Sequence, residues 1–158
     1  MRFFLLDKIT EVRPGEFARG VKAVTLTDEV LHDHFPDFPV FPGSLMIEAA
    51  AQLGGYLVEV SGQPVVVDVP LRALLTQVQK AKFYEPVWPG DCVELRATLA
   101  ARLDTAAEVR AELHVGERLV ARMLLTFVLR RVDSERVHAQ RRYLYKLWTR
   151  ELKEAPNP

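Results

Sequence analysis

The sequence predicts an α+β fold in which a curved antiparallel sheet packs against one long helix. Three observations point there. A single stretch, Ser44 to about Val60, carries apolar side chains around its whole circumference, among them Leu45, Met46, Ile47, Leu53 and Leu57; a helix apolar all round is a buried helix. Several alternating or β-branched segments follow it, separated by turn signals. The order of strands, one buried helix and then a run of strands belongs to α+β architectures. The 158 residues suit one domain, and 49% hydrophobic content is ample for a core.

Residues 3–9 form an apolar run that ends before the turn signal Pro14-Gly15. Residues 16–26 alternate loosely through Phe17, Val21, Ala23, Val24 and Leu26 and read as a strand. From Asp28 to Gly43 the chain is rich in proline, aspartate and histidine, with Pro36, Pro39 and Pro42 at every third position. Proline fixes φ and removes a donor, so this stretch is an ordered loop. Within the helix, Gly54-Gly55 costs about 1 kcal/mol per glycine against alanine, which implies close approach of another backbone, such as a sheet wrapping the helix. Val65-Val66-Val67 reads as a strand, and so do Gln77–Phe83, Cys92–Ala101, Ala106–His114 and Arg118–Arg130, with turns at Pro89-Gly90-Asp91 and Val115-Gly116-Glu117. The main domain therefore spans residues 1–132. Residues 133–158 form a separate tail in which Val137, Leu144, Trp148 and Leu152 fall at helical spacing among Arg136, Arg141, Arg142, Lys146 and Arg150. That is an amphipathic helix with a basic outer face, best read as docked on its own protein.

Composition excludes several function classes. The 21 basic and 21 acidic residues balance, whereas phosphate binding calls for a basic excess, so nucleic acid is not an expected partner. One cysteine, Cys92, allows neither an intrachain disulfide nor a cysteine-rich zinc site. Asp7 and Lys8 end the first apolar run after four residues, too soon for an export signal. No stretch approaches the roughly 18 uncharged residues of a membrane span. A cytoplasmic protein without membrane contact is expected.

The chemistry concentrates around the start of the helix. Glu48 is the only charged residue between Gly43 and Val58. An ionised carboxylate in apolar surroundings is costly unless paired or neutralised, and a neutralised one can donate a proton; a carboxylate satisfied by a neighbour is the plainer alternative. His34, in the proline-rich loop, has a side chain suited to act as a base near neutral pH, although His32 lies two residues away and an incidental loop histidine is the commoner case. The Gly43 N–H stands at a helix N-terminus, where the dipole favours negative charge and an oxyanion can be held. Five residues separate Gly43 from Glu48, about 7.5 Å along a helix, so donor and acid can serve one small substrate.

These residues form a pattern. His34-Phe35-Pro36, Pro39 and Pro42-Gly43, followed by Glu48-Ala49-Ala50-Ala51-Gln52, resemble the signature of the FabZ-type (3R)-hydroxyacyl-acyl-carrier-protein dehydratases. Leu5-Leu6-Asp7-Lys8-Ile9 with Pro14-Gly15, and Lys80-Ala81-Lys82-Phe83 with Pro86-Val87 and Pro89-Gly90-Asp91, resemble further blocks of that family in the same order. The resemblance covers roughly residues 4–130 and implies a hotdog fold, at least dimeric, with a trimer of dimers as the larger assembly. It implies an active site at the dimer interface, with His34 of one subunit as base facing Glu48 of the other. The Gly43 N–H would hold the thioester carbonyl, Gln52 would orient Glu48, and Phe35 and Pro42 would border the substrate. Acyl carrier protein bearing the acyl chain would be the partner, and no cofactor or metal is needed. The family usually has glycine where Asp33 and Asp37 stand, and aspartate tolerates a left-handed backbone better than most residues. A hotdog thioesterase and a non-catalytic acyl-binding protein are the alternative readings.

Overall fold

The computed structural model describes residues 3–62 and 71–156; the expected strand at Val65–Val67 lies outside them. Strands β1 (Lys8–Arg13) and β2 (Phe17–Ala23) lead through a short 3-10 turn (Glu29–His32) to helix α1 (Gly43–Val60). Strands β3 (Leu71–Phe83), β4 (Cys92–Arg102), β5 (Ala106–Val115) and β6 (Arg118–Arg131) follow, then helix α2 (Glu135–Trp148). The six strands form one sheet in the order β1-β2-β4-β5-β6-β3, every pairing antiparallel. The sheet's inner face supplies Ile9, Ala18, Val93, Leu95, Val109, Leu125 and Phe127 to a core whose other half is α1.

Turn chemistry sets the corners. At Pro14-Gly15 and Pro89-Gly90, proline occupies the first central position and glycine the second, with φ of +82° and +99°. The closing bonds run from Glu16 N to Arg13 O at 3.0 Å and from Asp91 N to Trp88 O at 3.0 Å. This is the type II pattern, in which the second central residue must be left-handed. The β3–β4 turn is also tied to the end of β2: Gly90 N donates to Val24 O and Val24 N to Asp91 O. That link ends β2 at Ala23, three residues before the alternation runs out, and leaves Leu26 exposed. Strand β3 starts at Leu71 rather than Gln77. Leu-Arg-Ala-Leu-Leu does not alternate, but Leu71 pairs with Arg131 on β6 and Ala73 N donates to the Glu59 carboxylate. Tertiary pairing decides that segment.

Helix α1 departs from all-round burial in one respect. Most of its residues are buried, but Ser44, Ile47, Glu48 and Gln52 are not. They lie at helical i, i+3, i+4 and i+8 spacing, so one narrow strip faces away from the sheet. Gly54 sits to one side of the strip, against β5 and β6, whereas Gly55, seven residues past Glu48, lies on the strip's own side. A Cβ on Gly54 would come within 3.2 Å of the Phe127 ring and 3.3 Å of Val109 Cγ1. The close approach is thus to side chains of the wrapping sheet rather than to its backbone.

Helix α2 is capped by Ser134, whose hydroxyl accepts from Val137 N. It buries His138, Leu144, Tyr145 and Trp148. A buried polar cluster fastens it to α1 and β3. Arg72 Nη1 donates to Glu59 Oε2 at 2.8 Å, and Tyr145 Oη donates to the same oxygen at 2.8 Å. Arg72 Nε donates to His138 Nδ1 at 3.1 Å, so the other ring nitrogen carries the proton that reaches the Val132 carbonyl at 2.7 Å. Every buried side-chain polar atom among the described residues has a partner, which makes each member expensive to remove.

Burial, reinforced by the Glu59 charge, pushes the Tyr145 hydroxyl well above its ordinary value, and burial pushes Tyr56 up to about 12. Stability from these raised values is present below pH 10, where unfolded tyrosine ionises, and is lost as pH climbs towards the folded values. We expect Tyr145→Phe to lower unfolding free energy by about 1.5–3 kcal/mol at neutral pH, the range for a hydrogen bond to a charged group. The variant should also lose less stability than the parent between pH 10 and 12. Urea melts at pH 7 and pH 11 measure both; equal midpoints at pH 7 would contradict the anchoring role of the cluster.

Candidate active site

The loop before α1 is held in shape by its own backbone. Phe38 N donates to Phe35 O and Phe35 N to Phe38 O, both at 2.9 Å. Pro36 and Asp37 occupy the turn between them, with Asp37 at φ +60°. This repeats the type II arrangement of the two proline–glycine turns, with aspartate in the glycine position. Asp33, by contrast, has an ordinary φ of −108° as it ends the 3-10 turn. Val40 N donates to His34 O, and Phe41 N reaches across to Val87 O at 2.8 Å. The Phe38 ring meets Trp88 edge-on at 4.8 Å. The loop is thus sewn to the β3–β4 connection.

His34 is half-buried. Its Nδ1 lies 2.8 Å from the Val40 carbonyl. A carbonyl only accepts, so Nδ1 carries the proton and the neutral ring keeps its lone pair on Nε2. The Phe35 ring stacks on the imidazole at 4.2 Å, and the peptide bond between the two residues is cis. Phe35 is otherwise exposed, as is His32. Among the described residues no ion pair joins His34 to Asp33 or Asp37.

Glu48 and Gln52 stand one turn apart on the open strip of α1. Gln52 is clamped by the N-terminal segment: its Oε1 accepts from Leu5 N at 3.1 Å and its Nε2 donates to Phe3 O at 2.9 Å. Those two backbone partners determine which end of the amide is oxygen. The remaining N–H then points at Glu48 Oε1, 2.9 Å away. That oxygen is held as an acceptor. Glu48 has no cationic partner among the described residues.

Pro42 is the N-cap of α1, its carbonyl accepting from Leu45 N and Met46 N. Gly43 is the first helical residue, so its N–H has no acceptor within the helix. A Cβ there would meet the Phe83 ring at 3.0 Å; glycine is needed because the last residue of β3 lies over it.

Glu48 and Gln52 open onto a groove of about 780 Å³ that runs along α1 past Ala51 and Gly55 to Glu59, with Phe127 and residues of α2 on its walls. His34 does not line it, and no hydrogen bond or ion pair links His34 to Glu48 within the chain. One chain thus brings Glu48 to Gln52, and Gly43 to Pro42, but leaves His34 apart from Glu48. Sequence reasoning missed the Phe3–Leu5 clamp, because backbone atoms make it, and missed Phe83 over Gly43. It also passed over Glu59, whose signal was available as a second carboxylate eleven residues beyond Glu48 on an apolar helix.

The fold recurs in solved structures of low sequence identity. A hot-dog-like protein from Thermanaerovibrio acidaminovorans matches with a TM-score of 0.61 over 80% of this chain and 90% of that one, at 16% identity. The smu.793 protein of Streptococcus mutans UA159, solved with acetyl CoA, matches with a TM-score of 0.64 over 85% and 95%, also at 16% identity. The architecture is therefore a hotdog. Residues 1–123 match the family model of the FabA-like domain, and the chain belongs to that family. Within it, the likeness is to the FabZ type: the 3-hydroxyacyl-[acyl-carrier-protein] dehydratase FabZ of Nitratidesulfovibrio vulgaris (strain Miyazaki F) is 37% identical over 124 residues, 78% of this chain and 79% of the relative.

The geometry of the loop tip generates a direct test. Asp37→Gly removes a side chain from a left-handed position and should hold or slightly raise the melting temperature, whereas Asp37→Val should cost about 1–2 kcal/mol. Equal melting temperatures for the two variants would show that the turn does not hold this geometry in solution.

Proposed function

We propose that this chain is a hydro-lyase that removes water from (3R)-hydroxyacyl chains on acyl carrier protein, giving trans-2-enoyl products in fatty acid or related acyl-chain synthesis. The observation that carries the reading is the way its two groups are held. His34 Nε2 offers a lone pair because Val40 holds the proton on Nδ1. Gln52 holds one oxygen of Glu48 as acceptor and leaves the other to face the substrate hydroxyl. In the reaction, His34 Nε2 takes a proton from C2 of the thioester. Negative charge moves to the thioester oxygen, where the Gly43 N–H and the helix dipole stabilise it. The C2–C3 double bond forms as the C3–O bond breaks, and Glu48 protonates the departing hydroxyl to water. No cofactor or metal takes part. Phe35 and Pro42 border the reacting end of the substrate.

The enzyme works as a homodimer on this reading, its base and acid supplied by different subunits. Two features support that. His34 lies outside the groove that holds Glu48. Strand β3 is an edge strand with Leu74, Leu75 and Val78 exposed, and a long apolar edge invites pairing with another strand. No helix among the described residues is long and apolar enough to cross a membrane, which accords with action in the cytoplasm.

Replacing either group should lower turnover of a crotonyl thioester by about 10²–10⁴-fold, the usual worth of a general acid or base. We therefore expect His34→Ala and Glu48→Gln to fold normally and fail in hydration assays, with His32→Ala much milder. Release of free thiol instead of hydration would identify a thioesterase. Co-refolding the two inactive variants should restore part of the activity, because a mixed dimer contains one intact site. No recovery in dimers proven to be mixed would place both groups in one chain.

A further inference from the structure

We propose that helix α2 forms the far wall of the acyl channel and limits the chain length the protein accepts. This rests on the dehydratase reading for the identity of the substrate, and on geometry for the rest. The groove that begins at Glu48 does not end within the region matched by the family model, residues 1–123. Its wall is completed by Val137, Arg141, Leu144 and Trp148, all from α2. These positions recur at helical spacing, so a single face of α2 is turned to the groove. An acyl chain whose hydroxyl carbon sits at Glu48 therefore runs along α1 and meets α2.

The length can be gauged along the helix. Gly55 lies seven residues beyond Glu48, about 10.5 Å at the helical rise. With carbon–carbon bonds of about 1.5 Å at tetrahedral angles, each methylene advances about 1.3 Å, so Gly55 lies about eight carbons past the hydroxyl carbon. Glu59 is one further turn along and closes the groove. Its carboxylate is bound by Arg72, Tyr145 and Ala73 N, all within the fold. Its ionic wall has no free polar group to offer a longer chain and cannot be displaced cheaply. Glu59 stands eleven residues past Glu48, about 16.5 Å, so chains of up to about 16 carbons fit before it, whereas a longer chain must push into this cluster.

Gly55 is the position to vary. A Cβ there would lie 3.7 Å from Phe127 and 4.0 Å from Ala73, ordinary contact distances, so Gly55→Ala folds and narrows the groove midway. The parent and this variant should be compared in hydration of 4-, 8-, 12-, 16- and 20-carbon 2-enoyl thioesters. We expect the parent to fall off beyond 16 carbons and Gly55→Ala to lower the ratio of 12-carbon to 4-carbon activity by about tenfold, the effect of one methyl group in an apolar pocket. Leu144→Ala should move the limit the other way. An independent readout uses the chain's two tryptophans: in Trp88→Phe protein, emission comes from Trp148 alone. Saturated dodecanoyl-pantetheine should shift that emission and butanoyl-pantetheine should not. Trp148 emission indifferent to chain length, with an unchanged activity ratio in Gly55→Ala, would overturn the proposal. Absence of all hydration together with a chain-length-dependent Trp148 response would overturn the dehydratase reading and leave the channel standing.

Discussion

Enclosure of α1 by the sheet is the constraint on which the rest depends. A helix this apolar has no stable place except inside a curved sheet, and Gly54 lets the Phe127 ring of β6 come close enough to close the wrap. Each residue on the enclosed faces removes apolar surface from water, worth roughly 25 cal/mol per Å². Past its first residue, Gly43, only the strip of Ser44, Ile47, Glu48 and Gln52 escapes. Polar chemistry can therefore sit nowhere else on α1 without a dedicated partner. The two carboxylates of the helix divide on that basis: Glu48, on the strip, is held by one amide, while Glu59, buried, requires a guanidinium, a phenol and a backbone N–H.

Fixing polar groups by backbone atoms is how the chain achieves definite proton positions. A side-chain partner can rotate or reverse its donor and acceptor; a carbonyl cannot donate and an N–H cannot accept. Val40 O thereby decides the tautomer of His34, and Leu5 N with Phe3 O decides the orientation of the Gln52 amide. The effect passes on by one bond to Glu48. His34 and Glu48 are thus positioned without any ion pair, which would have favoured their charged forms.

The long helix, the antiparallel strands and their turns were legible in the sequence because each has a local cause: apolar periodicity, alternation, or proline followed by a residue able to take positive φ. The bounds of β4, β5 and β6 agree to within a residue. What was not legible depends on contacts between distant segments. Strand β3 reaches back to Leu71 because β6 and Glu59 hold it there. The open strip on α1 exists because the sheet wraps most but not all of the helix, which periodicity cannot reveal when nearly every position is apolar. The site divides in the same way. Motif spacing named His34, Glu48, Gly43 and Gln52 as candidates, but could not point to the backbone of Phe3 and Leu5 or the ring of Phe83, which have no signature of their own.

The edge of the sheet and the incompleteness of the site are one problem seen twice. A single chain leaves thirteen residues of β3 unpaired on one side, with exposed leucine and valine along it. It also leaves His34 away from Glu48. Two copies meeting along β3 would cover the edge, and the same strand ends in Phe83, whose ring lies over Gly43. Pairing at β3 thus bears directly on the helix N-terminus proposed to hold the thioester oxygen. A fold whose edge strand both seeks a partner and touches the reaction centre has reason to remain unfinished as a monomer. On the proposed dimer, covering this apolar surface would drive association, and association would align the groups that a single chain keeps apart.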